Sequence, residues 1–213
     1  VRAEDGDPTA LRIALATTFE EKLDAASQAY SWYGKALESD PNRVSLLDDL
    51  QRTAMAAGLQ SELVEMLEGL LESEPEQSAQ MAYLSLLANI CANELGRSAD
   101  AASYFERVRT AGGESMNVLV ALQGLYERSG AFEALLEIRQ RQLELAESGA
   151  ERAHILAALG KLHEDVLDDP SSAQAAYEQL RTLDPERLEA LRGLQRLAER
   201  SGDAGALAEY VAA

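Results

Sequence analysis

The sequence contains a single cysteine, Cys91, among its 213 residues. One cysteine excludes an intrachain disulfide and a metal cluster held by several thiolates of one chain. Residues 84–90, which precede Cys91, are mostly apolar and have helical periodicity. We therefore expect Cys91 to be a buried small hydrophobic residue rather than a nucleophile.

Aromatic residues and prolines are also scarce, at 5% and five residues respectively. Alanine and leucine, which favour helices, dominate the apolar content, and no proline has to lie inside a predicted helix. The composition therefore predicts an all-α protein. No apolar run is long enough to span a bilayer, so we expect no membrane insertion. The absence of a signal-peptide pattern slightly favours the cytoplasm, although a leader or anchor removed before Val1 would leave the same pattern.

Basic residues are outnumbered by acidic residues, 19 against 37, which gives a formal charge of −18. Nucleic acids and anionic membranes attract basic surfaces, so this charge argues against both as partners. Arginine outnumbers lysine by 16 to 3, which indicates a GC-rich and bacterial genome.

A Leu-x-x-Leu pair recurs at intervals of 35 to 37 residues, and each pair is followed by a turn and a second amphipathic segment. Leu11 and Ala14 extend the series upstream, 36 residues before Leu47. The turns contain glycines, for which we expect left-handed backbone, and Ser or Asp, which we expect to cap the next helix. The five pairs are Leu47/Leu50, Leu84/Leu87, Leu119/Leu122, Leu156/Leu159 and Leu191/Leu194.

The pattern resembles the tetratricopeptide repeat family over residues 8–213. The first-helix motif is matched by Leu156-x2-Leu159-Gly160-x2-His163, with Leu and His at its two aromatic positions, and the second-helix motif by Ala173-x3-Tyr177. The resemblance implies a right-handed α-α superhelix, a solenoid of about six helix-turn-helix repeats in a single domain spanning 1–213. The predicted repeats are 8–41, 42–75, 76–113, 114–149, 150–185 and an incomplete 186–213.

A catalytic site is not evident in the sequence. It has no glycine-rich phosphate loop, nucleophile elbow or paired-histidine metal motif. His154 and His163 lie nine residues apart, on nearly opposite faces of one predicted helix, which excludes joint metal binding. We interpret the acidic run 164–169 as a solvated turn with a capping residue, since it lacks the pattern of a calcium loop. The sequence predicts no enzyme, no metal and no cofactor.

The resemblance implies that the first helices line an inner groove. The residues at the groove positions of this sequence form a polar and partly basic stripe, whose arginines, lysine and asparagines suit the carboxylates and main chain of a bound peptide. The alternative is that these are ordinary solvated helix faces with partners on the same helix, such as Glu189 or Glu199. The candidate partner-binding residues are Arg52, Asn89, Asn93, Lys161, Arg192, Arg196 and Arg200.

The sequence therefore predicts a scaffold that binds a partner protein or peptide. We expect a piece of a longer repeat protein, because the last repeat stops at Ala213 without a polar capping helix. One alternative is an architectural segment that stacks through its ends on another copy or on further repeats. Another is a regulatory domain attached to an enzyme elsewhere in a longer chain. A helical-repeat RNA binder is disfavoured by the charge.

Overall fold

The computed structural model describes residues 8–212, and over this range it contains twelve α-helices and no strand. The prediction of an all-α chain of helix-turn-helix repeats is confirmed. A 3-10 turn, Val44–Leu46, precedes α3, and π-type turns extend α6 and α9 at Arg109–Gly113 and Leu162–Val166. The helices are α1 Pro8–Leu23, α2 Ala26–Ser39, α3 Leu47–Ala57, α4 Gln60–Glu72, α5 Gln77–Asn93, α6 Ser98–Val108, α7 Met116–Ser129, α8 Phe132–Leu145, α9 Gly149–Lys161, α10 Pro170–Leu183, α11 Leu188–Ser201 and α12 Ala204–Ala212.

The chain divides into two compact units, with the division between Glu114 and Ser115. The first unit contains the helix pairs α1/α2, α3/α4 and α5/α6, and the second contains α7/α8, α9/α10 and α11/α12. The division falls one residue from the predicted border between the third and fourth repeats. The organisation as a single domain stays a prediction.

The leucine pairs form the core of each unit. Both leucines are buried in the four pairs that begin at Leu47, Leu84, Leu119 and Leu156, whereas in the last pair only Leu194 is fully buried. Alanines at the facing positions of the second helices are also completely buried, and their small size lets neighbouring helices approach closely. These alanines are Ala29, Ala101 and Ala173.

The predicted leucine position in the first repeat is wrong. Leu11 is 65% exposed and Ala14 is also exposed, whereas Ala16 is completely buried. The residues that match Leu47 and Leu50 are Ile13 and Ala16, each 34 residues upstream. A shift of two residues turns a side chain by about 200° around a helix, so Leu11 lies on the opposite face from the core.

The turns mostly follow the predicted chemistry. Gly58, Gly130 and Gly202 end α3, α7 and α11 with φ near 71°, in the left-handed region that glycine adopts without strain. Asp169 caps α10, because its Oδ1 accepts a hydrogen bond from the Ser172 amide at 3.0 Å. Ser98 lies within α6 and its side chain does not cap that helix.

Candidate functional site

In the first unit, Arg52 joins two successive repeats. Its guanidinium on α3 pairs with Asp49 on the same helix and with Glu20 at the end of α1. Glu20 also accepts a hydrogen bond of 3.1 Å from the hydroxyl of Tyr33, a buried residue of α2. Arg52 therefore neutralises a carboxylate of the preceding repeat, while 54% of its side chain stays exposed.

Asn89 and Asn93 lie one turn apart on the same face of α5, and both are exposed. Asn89 Nδ2 donates to the carbonyl oxygen of Ser85 at 2.8 Å. The structure thus places these two predicted groove residues together on one helix surface.

In the second unit, Arg196 on α11 binds Glu164 at the end of α9 through two hydrogen bonds. The Nε to Oε1 distance is 2.8 Å and the Nη2 to Oε2 distance is 2.6 Å. Oε2 of Glu164 also accepts a bond of 2.9 Å from the hydroxyl of Tyr177, which is completely buried on α10. A bidentate arginine and a tyrosine together satisfy this carboxylate.

The interpretation of 164–169 as a solvated turn is wrong for Glu164, which is only 6% exposed. Glu164 follows Gly160 by four residues, so it lies on the helix face that packs against Tyr177. Asp165 and Asp168 in the same run are exposed, as predicted.

The two tyrosine-centred clusters have the same spacing in the sequence. In each, the glutamate precedes the tyrosine by 13 residues and the arginine follows it by 19. We call each cluster a Tyr–Glu–Arg joint, one formed by Tyr33, Glu20 and Arg52, the other by Tyr177, Glu164 and Arg196. The recurrence explains why arginine lies five residues after the first leucine of the pair in both the second and the sixth repeat.

The charges of the second joint are fixed at neutral pH. The hydrogen bonds from Arg196 lower the pKa of Glu164, outweighing burial, which raises it. Burial, and then the bond to Glu164, raises the pKa of the Tyr177 phenol. At neutral pH Glu164 is therefore ionised and Tyr177 is protonated, so the hydrogen bond between them is maintained.

The remaining candidates of the second unit lie on α9 and α11. Arg200 Nη2 lies 2.9 Å from Oδ1 of Asp168, and both side chains are more than half exposed. Lys161 and Arg192 are exposed and form no ion pair with the residues that the structure describes. We call the set Lys161, Arg192, Arg196 and Arg200 the basic face.

The same-helix alternative holds in part for Arg52, which pairs with Asp49 on α3, but not for Arg196 and Arg200. Glu189 pairs with Arg187 at 2.5 Å, whereas the partners of Arg196 and Arg200 belong to the preceding repeat. Sequence reasoning missed these partners, although the shared spacings of 13 and 19 residues were a signal for the two joints.

Other potentially reactive side chains take up packing or surface positions. Cys91 is completely buried, as predicted. The side chain of His163 is 12% exposed, and its Nδ1 lies 3.7 Å from Asp169 Oδ2, whereas His154 is exposed. Among residues 8–212 no three His, Cys, Asp or Glu side chains are grouped so that they could hold a metal ion. Over the same range no helix has the length and apolar character needed to cross a membrane.

Comparison with solved structures identifies the fold. A tetratricopeptide repeat protein from Parabacteroides merdae is similar over 95% of this chain and 77% of its own, with 18% identity and a TM-score of 0.53. PilF from Pseudomonas aeruginosa is 19% identical, with coverages of 88% and 82% and a TM-score of 0.49. YrrB, a tetratricopeptide protein described as having an unusual peptide-binding site, is 16% identical, with coverages of 85% and 89% and a TM-score of 0.49.

The first of these likenesses shows a tetratricopeptide-like fold, as the sequence predicted. No protein-family model matches the sequence, and a search of curated proteins found no match.

Proposed function

We propose that this chain, with its tetratricopeptide-like fold, is an interaction module that holds a segment of a partner protein against its first helices. The observation that carries the proposal is the basic face of the second unit. On a chain with a formal charge of −18, Lys161 and Arg192 lie exposed without a carboxylate partner among the described residues. Such cations are available to form charge-assisted hydrogen bonds with a ligand carboxylate.

The other candidate residues contribute differently. Three of them, Arg52, Arg196 and Arg200, each pair with a carboxylate of the preceding repeat. A ligand carboxylate would therefore have to compete with an existing ion pair. Asn89 and Asn93 carry both donors and acceptors, which suit the main chain of an extended segment. We therefore assign the main electrostatic role to Lys161 and Arg192.

Selection of random peptides on the immobilised chain tests this function. We expect selected peptides that contain Asp or Glu and bind more weakly as salt increases. The double variant Lys161→Glu/Arg192→Glu should lose at least about tenfold in affinity, because each charge reversal replaces attraction by repulsion. Affinities would be measured by fluorescence anisotropy.

Lys22→Glu is the matched control, since Lys22 is an exposed lysine on α1 in the other unit. It should leave the affinity within about twofold, because Lys22 is not part of the basic face. Equal losses in the control and the double variant would contradict a role for the basic face.

An architectural role is the second candidate, favoured by apolar side chains exposed on the first helix. Leu11 is 65% exposed and Leu23 is 59% exposed. Apolar surface of this kind can be covered by another copy of the chain. This candidate predicts a concentration-dependent increase in mass in sedimentation, reduced by Leu11→Glu. A monomer at every concentration would count against self-association.

A further inference from the structure

A pocket of about 550 Å³ opens between α7 and α9 in the second unit, and α8 forms its floor. Met116, Val120 and Gln123 line one side at helical spacing. Ile155 and His154 line the other side. Val120 is 53% exposed, although it is a large hydrophobic residue, so the pocket presents apolar surface to solvent.

A chain of hydrogen bonds runs beneath this apolar wall. The carboxylate of Glu127 accepts from Arg139 at 2.6 Å and from Gln123 Nε2 at 3.1 Å. Oε1 of Gln123 in turn accepts from Nε2 of Gln142 at 3.0 Å. Because an ionised carboxylate only accepts, the orientation of both amides is determined from Glu127 onward. The chain therefore ends at Gln142 Oε1, an acceptor.

Gln142 is only 2% exposed, yet it lines the pocket. Its Oε1 receives no hydrogen bond from the side chains and backbone that the structure describes. This oxygen is not among the fully buried side-chain atoms that lack a partner, so it faces the open pocket, where a ligand N–H or O–H can donate to it.

The charged groups of the pocket already have partners. Arg139 is held by Glu127, and only 11% of its side chain is exposed. The carboxylate of Glu151 accepts from the backbone amides of Glu147 and Ser148, each at 3.2 Å, at the start of α9. The pocket thus suits an uncharged group that is mainly apolar and carries a single donor.

We infer that this pocket binds a tryptophan or tyrosine side chain of the partner segment, with the ring N–H or O–H donating to Gln142. These two side chains combine a large apolar ring with one polar donor. The inference rests on the proposed function and names the anchor that the partner would supply.

The position of the pocket also restricts the rest of the partner segment. His154 at its rim and Lys161 of the basic face are both exposed on α9 and lie seven residues apart. Seven helical residues rise about 10 Å, which an extended peptide spans in about three residues. The partner should therefore carry an acidic residue about three positions from its aromatic anchor.

To test the inference, peptides are first selected on the parent chain. Their affinity for the variant Val120→Lys is then measured. We expect a shared tryptophan or tyrosine in the selected peptides, and at least a tenfold loss of affinity on Val120→Lys. Val166→Lys is the matched control, because Val166 is 44% exposed and does not line the pocket, and it should retain the parent affinity. Thermal melting would verify that both variants are folded.

A second comparison isolates the hydrogen bond to Gln142. Replacing the anchor tryptophan by phenylalanine should weaken binding several-fold on the parent chain and much less on Gln142→Leu, as a double-mutant cycle requires. Equal losses on both chains would overturn the hydrogen bond. Peptides that bind Val120→Lys as well as the parent would overturn the pocket while leaving the proposed function intact. Failure to select any peptide would overturn both.

Discussion

Gly193→Ala is expected to lower the free energy of unfolding by about 2 to 3 kcal/mol, although alanine favours helices by about 1 kcal/mol over glycine. A Cβ added at Gly193 would lie 2.6 Å from Cδ2 of Tyr177, well inside contact distance. The ring cannot move away, because its opposite edge lies against Gly160, where an added Cβ would be 2.7 Å from Cδ1. The hydroxyl is also held by Glu164.

Gly69→Ala is the control for this variant. Gly69 lies within α4, and an added Cβ would have no neighbouring atom within 4 Å. Here helix propensity acts alone, so the variant should be more stable by up to about 1 kcal/mol. Urea unfolding of both variants measures the difference. Changes of the same sign would show that Tyr177 is not wedged between two helices.

Glu164→Ala is expected to lower the free energy of unfolding by about 2 to 3 kcal/mol, because two donors lose their shared acceptor. The buried Tyr177 hydroxyl would lose the acceptor of its proton and keep only a 3.5 Å contact with Arg196 Nη2. Arg196 loses less, since 47% of its side chain is exposed and can be hydrated. The cost should therefore lie below the 3 to 5 kcal/mol typical of breaking a fully buried ion pair.

Glu209→Ala provides the comparison, because Glu209 pairs with Arg181 but is 64% exposed. Exposed pairs contribute at most about 1 kcal/mol, so this variant should unfold almost like the parent. Similar losses in both variants would contradict a special role for the buried joint.

The joint of Tyr177, Glu164 and Arg196 should make the free energy of unfolding fall at acid pH. Arg196 holds the pKa of Glu164 below its ordinary value of 4.5, so the native state stabilises the ionised carboxylate. This stability is present above pH 4.5 and is lost as the pH falls through the lowered pKa. Thermal melts between pH 7 and pH 3 should show a smaller loss for Glu164→Gln than for the parent. An identical loss would exclude Glu164 as a contributor.

The repeat was predictable because helix periodicity and leucine burial are local properties of the sequence. Leu119 and Leu122 needed only their own spacing to be placed in the core. Leu11 was misplaced because a Leu-x-x-Ala match does not distinguish two helix faces when Ile13 is also apolar. Only the position of the neighbouring helix decides which face is buried.

The candidate site was less predictable, because its partners come from distant positions. Arg196 was identified from its groove position, but Glu164 lies 32 residues earlier and looked like part of a solvated turn. Gln142 lies on a second helix, whereas the groove positions were taken from first helices alone. Only the contacts between repeats show which arginines pair with a carboxylate of the preceding repeat and which cations have no such pair and are available to a partner.

In the proposed function, Arg196 stabilises the contact between two repeats, whereas Lys161 and Arg192 bind the partner. One paired measurement tests this difference in role most directly. Peptide affinity and unfolding free energy would be measured together for Lys161→Ala/Arg192→Ala and for Arg196→Ala. We expect the double variant to lose most of its affinity and retain its stability, and Arg196→Ala to lose stability with a smaller change in affinity. Full affinity in the double variant, with a large loss in Arg196→Ala alone, would contradict the account.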